Sequence, residues 1–388
     1  MSIPSGGIPI TKPFFTGSEG AAVAAVVASG WVAQGPKVRE FEAAFAERVG
    51  AADAVAVSSC TTALHLALHV SGAGPGDEVV VPSHSFIATA NAVWHCGATP
   101  VFADIDPLTY NLDPGAAERA ITPRTKAIMP VHQIGLPADM DAFLELGRRY
   151  GVEIVEDAAC AIGARYRGRS VGSLGPLACF SLHPRKVITT GEGGMIATQD
   201  PQVGARLRFL RQHAMDVSDL VRHSADRVVI ERYPERAWNY RMTDMQAALG
   251  LCQLDVLDEI LDRRRELADR YTRAIDALPG LQAPYDPADR ERAWQSYAVR
   301  VDADSPLTRD ELMQALLADG IATRRGVMAI HQEDSYAGDG PFDLPHTEAA
   351  AADTLMLPLY PALTDAEQDF VIERLAALTT ADQGLVVS

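Results

Sequence analysis

The residue best placed to act as a nucleophile is Lys186, in the run ACFSLHPRKVITTGEGG (178–194). A buried apolar strand is expected to lead straight into His-Pro-Arg-Lys, leaving Lys186 at its mouth between a rigid Pro-containing bend and apolar Val187 and Ile188. Desolvation there would lower the pKa of the amine and make it a nucleophile at neutral pH. Most loop lysines are merely solvated, so the run gains weight only beside others. GEGG alone has neither Walker nor dinucleotide spacing and reads as a hairpin turn. A second run, IVEDAACAIG (154–163), is an apolar strand ending in two acids. In open parallel sheets ligands sit outside the carboxyl ends of strands, so Asp157 is placed either to meet one or to cap a turn. The third run is VSSCTTALHLAL (57–68), a strand, a hydroxyl-rich bend and an amphipathic helix. Free N–H groups at that helix start suit a phosphate, although Ser59 and Thr61 also suit plain capping.

Taken together the three runs meet the needs of pyridoxal 5′-phosphate (PLP). That cofactor takes a lysine for a Schiff base, an acid facing its pyridine nitrogen and a helix N-terminus for its phosphate.

Short apolar runs that alternate with helical patterns are the elements that must position these groups. Strands are expected at 54–57, 78–81, 100–103, 127–131, 153–155, 178–182 and 195–198. Helices are expected at 18–29, 38–49, 62–71, 87–96, 140–150 and 203–213. This alternation implies an α/β fold with a large, mainly parallel sheet covered on both faces. From Thr243 to 278 the texture becomes one long helical run, a spine between domains. Beyond Pro279-Gly280 a smaller α+β region follows, with a strand at 296–301 and helices at 308–317 and 365–375. The expected units are 1–280, carrying the N-terminal helices and the 243–278 spine, and 281–388, ending in about ten flexible residues.

The chain has 388 residues, 34 Lys plus Arg against 51 Asp plus Glu, and a net charge of −17. So acidic a surface argues against nucleic acid and anionic membranes as partners. No run is apolar enough to span a bilayer, and MSIPSGGIPITKPFF lacks the basic and hydrophobic regions of a secretory signal. The five cysteines (Cys60, Cys96, Cys160, Cys179, Cys252) are scattered, without CxxC spacing. They read as reduced thiols of a cytoplasmic protein, with no metal site expected.

On its motifs the sequence resembles the DegT/StrS-type sugar aminotransferases, which are PLP enzymes of fold type I, the aspartate-aminotransferase-like fold. The resemblance rests on GPGDEVVVPSHSFIATANAV (74–93), PVFADIDPLTYNLDP (100–114), GLPADMDA (135–142), EDAACAIGA (156–164), FSLHPRKVITTGEGG (180–194), NYRMTDMQAALGLCQL (239–254) and LPLYPALTDAE (357–367). It implies that Lys186 binds the cofactor as a Schiff base and shuttles the proton, and that Asp157 holds the pyridine nitrogen protonated. It further implies that Phe86 stacks on the ring. The phosphate would be held at Cys60-Thr61, by Ser181, and by Asn239 reaching over from a second subunit, which requires at least a homodimer. Where relatives have Ser-Gly-Thr and Glu-Asp-Ala-Ala-Gln, this chain has Ser59-Cys60-Thr61 and Cys160. Ile162 stands near the usual His, and His132-Gln133-Ile134-Gly135 is also altered.

The implied activity is amino transfer from a donor, L-glutamate, to a keto group, foremost that of a nucleotide-linked keto-deoxysugar, by way of the pyridoxamine form (PMP). A keto-cyclitol or another ketone of secondary metabolism is the alternative acceptor. A PMP-dependent dehydratase, which resembles the chain but has His at the lysine position, and a non-catalytic regulator are both disfavoured by Lys186. Candidate substrate contacts are His183, Arg241, the Arg324-Arg325 pair and His331, each arginine being equally suited to a surface ion pair.

Overall fold

The computed structural model describes residues 7–217, 226 and 228–380; the C-terminal tail from 381 lies outside the described residues. Seven strands, β1 (Asp53–Val57), β2 (Glu78–Pro82), β3 (Thr99–Ala103), β4 (Thr125–Ile128), β5 (Glu153–Asp157), β8 (Leu177–Ser181) and β9 (Gly194–Thr198), form the large sheet, with β6 (Arg165–Tyr166) and β7 (Arg169–Ser170) in a separate small ribbon. The order across the large sheet is β1-β9-β8-β5-β4-β2-β3. All neighbours are parallel except β9, which runs antiparallel to both β1 and β8. The expected strands are present, and the sheet is mixed but mostly parallel.

Alternation along the strands explains why both faces are covered. Val55, Val57, Val79 and Val81 point into a core shared with the helix Cys60–Val70, through Leu64, Leu66 and Leu68. Ala54, Ala56 and Val80 point the other way, into a core with Phe41, Phe45 and Phe143.

The spine is not one helix. It breaks between Asp244–Asp255 and Leu257–Ile275, with Val256 at φ −109°, ψ 10°. The first part packs among the N-terminal helices, where the Asp244 carboxylate accepts the Gly35, Lys37 and Val38 amides at the start of the helix Pro36–Val49. The second part sends Leu267, Ala268, Tyr271 and Ile275 into another core. That core covers an antiparallel sheet ordered β10-β12-β14-β13, made of β10 (Leu281–Gln282), β12 (Tyr297–Val301), β14 (Thr354–Leu357) and β13 (Arg324–Arg325). The strand β11 (Arg290–Glu291) joins the ribbon of β6 and β7. Ile8, near the other end of the chain, is buried in the same second core and bridges to Ile321. A hydrophobic cluster thus unites the second spine helix, an N-terminal segment and the C-terminal strands.

Candidate active site

Lys186 lies on the connection 182–193 between antiparallel β8 and β9, so GEGG closes a long hairpin. The connection is pinned from several sides. Leu182 donates to the Gly193 carbonyl and accepts from the Thr190 amide, both at 2.9 Å. Gln246 of the spine donates to the Glu192 carbonyl at 2.7 Å, and Gln295 donates to the Arg185 carbonyl at 2.8 Å. Val187 and Ile188 are buried and anchor the loop, while half-buried Lys186 directs Nζ to Cys160 Sγ at 3.1 Å.

Here the expectation of an amine deprotonated by its surroundings is reversed. Burial pushes the Lys186 ammonium down, but the contact with Cys160 and the charge of Asp157 outweigh it and hold the group above the ordinary lysine value.

Asp157 ends β5 and is 5% exposed. Its Oδ2 accepts the Thr89 hydroxyl at 2.8 Å and its Oδ1 the Ala159 amide at 3.1 Å. Burial raises its pKa, against the opposing pull of those donors and of Lys186 and His132. Beneath it is a fully buried pair. His132 Nδ1 accepts the Ala138 amide at 3.0 Å, which places the ring hydrogen on Nε2, 2.9 Å from Glu156 Oε2. Glu156 Oε1 takes the Gly175 amide at 2.8 Å. Gln133 donates to the His84 carbonyl.

The hydroxyl-rich bend opens the helix Cys60–Val70. Ser59 caps it in a reciprocal box with Thr62, so Ser59 is spent on the helix itself. Thr61 has no side-chain hydrogen bond among the described residues, and Cys60 Sγ points to the Cys179 carbonyl at 3.7 Å. Burial, followed by the Asp157 charge, pushes the Cys60 thiol well up, so it stays protonated. Gly194, the first residue of β9, lies against this bend: a Cβ there would collide with the Ser59 carbonyl and the Cys60 amide. Ser181, 8% exposed, stands opposite Gly194 in the β8–β9 register.

Two of the expected cofactor residues stand apart. Phe86 lies between β2 and the helix Ala88–His95 and is 65% exposed. Asn239 is exposed, its backbone bridging to Gln212, although its neighbour Tyr240 accepts the Ser58 amide at 2.8 Å beside the bend.

The proposed substrate contacts divide. His183 Nδ1 accepts the Arg185 amide at 3.2 Å, and burial lowers its pKa. Both ring nitrogens of His331 are engaged, Nδ1 with Ser83 at 2.7 Å and Nε2 with Glu348 at 3.2 Å. Arg325 pairs with Glu333 at 2.9 Å. Arg324 on β13 and half-buried Arg241 have no hydrogen-bond or ion-pair partner among the described residues. The Arg324 guanidinium is pushed down by burial and then by nearby Arg185.

Sequence reasoning missed Thr89 and Ser85, and it saw His132 and Glu156 without pairing them. The 85/89 hydroxyls left no periodic signal, because Ser85 precedes the helix Ala88–His95 that carries Thr89. Among the described residues no group of acids, histidines and cysteines could hold a metal.

The open bend beside Gly194, the unpacked Phe86 ring and the convergence of Lys186, Cys160 and Asp157 fit PLP, and together with the mixed sheet they define a fold type I PLP-dependent transferase. The model of the DegT/DnrJ/EryC1/StrS aminotransferase family matches residues 15–376, and the chain belongs to that family. It is 43% identical to GDP-perosamine synthase of Caulobacter vibrioides over 372 residues, covering 95% of this chain and 97% of that one. DesV of S. venezuelae, solved in complex with a ketimine intermediate, matches with a TM-score of 0.89 and 37% identity over 97% of this chain and 100% of its own. A Streptococcus pneumoniae protein in its PLP form gives 0.89 and 30% over 96% and 98%. The protein is therefore a PLP-dependent aminotransferase.

Proposed function

We propose that this aminotransferase moves an amino group from L-glutamate to the keto carbon of a nucleotide-linked keto-deoxysugar, as a homodimer in the cytoplasm. The observation that carries the reading is Lys186 Nζ poised on Cys160 Sγ in one pocket with Asp157. Relatives named for nucleotide sugars support the acceptor class. That no helix among the described residues is long and apolar enough to cross a membrane is compatible with the location.

Bound PLP supplies an electron sink that acidifies the carbon next to the transferred nitrogen. Asp157 would keep the ring nitrogen protonated, and the Cys60 and Thr61 amides with Ser181 would take the phosphate. Asn239 of the partner subunit completes that phosphate site. Phe86 would cover the ring, and Cys160 holds the end of Lys186. Lys186 Nζ would hold the cofactor and would carry the proton between the substrate carbon and the cofactor in each half of the reaction. Unpaired Arg324 and Arg241, with His183, face the anionic part of the substrate. His331 fixes Ser83 and holds that wall in place.

Glutamate consumption by purified holoenzyme, measured against nucleotide-linked 4-keto-6-deoxy sugars, 3-keto sugars and keto-inositols, tests the assignment. Turnover with a nucleotide-linked sugar is expected. Turnover confined to keto-inositols would move the substrate to the cyclitol class.

A further inference from the structure

The acid that faces the cofactor is itself held by a two-hydroxyl relay that begins beside the stacking aromatic. Ser85 Oγ lies 2.7 Å from Thr89 Oγ1, and Thr89 Oγ1 lies 2.8 Å from Asp157 Oδ2. Ser85 is 2% exposed and Thr89 1%. Donor order follows from the end of the chain. An ionised carboxylate only accepts, so the Thr89 hydrogen is committed to Asp157 and Ser85 must donate its own to Thr89. Each bond polarises the next, and the pair delivers more to Asp157 than one hydroxyl alone.

The geometry also says what the relay is for. Asp157 Oδ1 is occupied by the Ala159 amide, so with Thr89 on Oδ2 both oxygens are fixed in direction. Thr89 lies in the first turn of the helix Ala88–His95, and its amide donates to the Phe86 carbonyl at 3.0 Å. One short segment, 85–89, therefore carries the aromatic expected over the cofactor ring and the hydroxyls that aim the acid at the ring's edge. We propose that Thr89, backed by Ser85, is a positioning residue that holds Asp157 ionised and aimed at the pyridine nitrogen, setting how far that nitrogen keeps its proton. This rests on the PLP reading of the pocket.

The consequence is a change in acidity more than in folding. Without the Thr89 hydroxyl the buried carboxylate loses a donor and becomes more basic. It then draws the shared proton from the ring nitrogen. The ring withdraws fewer electrons, and the nitrogen linking the cofactor to Lys186 becomes more basic in turn.

The test is a pH titration of the visible absorbance of the holoenzyme, with no substrate present, for wild type, Thr89→Val, Thr89→Ser and Ser85→Ala. Thr89→Val is nearly the same shape without the donor. It is expected to move the midpoint upward by about one pH unit and to weaken PLP binding about tenfold. Ser85→Ala is expected to move the midpoint the same way by less, and Thr89→Ser, which restores the hydroxyl, to titrate like wild type. Midpoints unmoved in Thr89→Val overturn the proposal, as does a Thr89→Ser shift as large as that of Thr89→Val. Should Thr89→Val not fold, an unmoved Ser85→Ala overturns it. A wild type with no cofactor band would overturn the PLP reading itself, and the relay with it, which separates the two failures.

Discussion

Around Asp157 every oxygen has a donor, and the layer below it, His132, Glu156 and Gly175, is bonded just as completely. The guanidinium groups of Arg324 and Arg241, proposed above to meet the substrate, have no hydrogen-bond or ion-pair partner among the described residues. The contrast follows from what each region meets. The cofactor is always the same molecule, so its surroundings are fixed in advance, and buried polar groups there are tolerable only when fully partnered. An acceptor sugar arrives from solvent, and charges that wait for it are left open to water, where an unpaired arginine costs little.

The comparison is most strongly tested at Asp157. Asp157→Asn should lower turnover by roughly 10²–10³-fold, as expected for loss of a preorganised charge at the reacting group. The same variant should make the cofactor-free protein more stable at neutral pH. A carboxyl whose folded-state pKa is raised binds its proton more tightly when folded. Its contribution is greatest below the unfolded value and falls as pH rises through the folded one. Melting curves of cofactor-free wild type and variant should therefore converge on acidification towards pH ~4, the ordinary aspartate value, and separate towards pH ~7, where the unfolded aspartate is ionised.

Next comes Glu156→Ala. It strands the His132 Nε2–H and the Gly175 amide in a dry layer and is expected to cost roughly 3 kcal/mol in denaturant unfolding. A loss near zero would show that the layer is not as tightly partnered as the distances say.

At the arginines the effects shrink and change kind. Arg324→Ala should raise KM for a nucleotide-linked acceptor about tenfold with little change in kcat, the worth of one charged hydrogen bond to an anion. Its neighbour Arg325, paired with Glu333 at the surface, should do almost nothing when replaced by Ala, less than about 1 kcal/mol in either assay. Equal effects at 324 and 325 would erase the distinction between waiting and spent arginines.

The groups proposed for the site were legible in the sequence because each sits in its own local motif. Lys186 lies in HPRK, Asp157 at the end of IVED, and Cys60-Thr61 at a helix start, and the structure brings Lys186, Asp157, Cys60 and Cys160 close enough to feel one another's charge. Their supports were illegible because they come from elsewhere in the chain. Thr89 reaches Asp157 across 68 residues, and only the adjacency of elements in the folded protein joins them. The Lys186 proton was misread for the same reason: burial is written in Val187 and Ile188, but the opposing groups, Cys160 and Asp157, belong to another strand end. In the fold, the spine's break at Val256 carries neither Gly nor Pro, so helix propensity gave no warning. The antiparallel direction of β9 is likewise set by the hairpin that carries Lys186, not by any alternation pattern.

The most direct measurement follows the visible spectrum of the PLP-loaded protein on addition of L-glutamate alone, beside Lys186→Ala. The account predicts that the cofactor band of the wild type converts to that of the amine form, with one 2-oxoglutarate released per chain. In Lys186→Ala it predicts conversion slowed by roughly 10⁴-fold, the upper range for a positioned acid–base group. A wild type that binds PLP yet leaves glutamate untouched, or a Lys186→Ala variant that converts as fast, would contradict it.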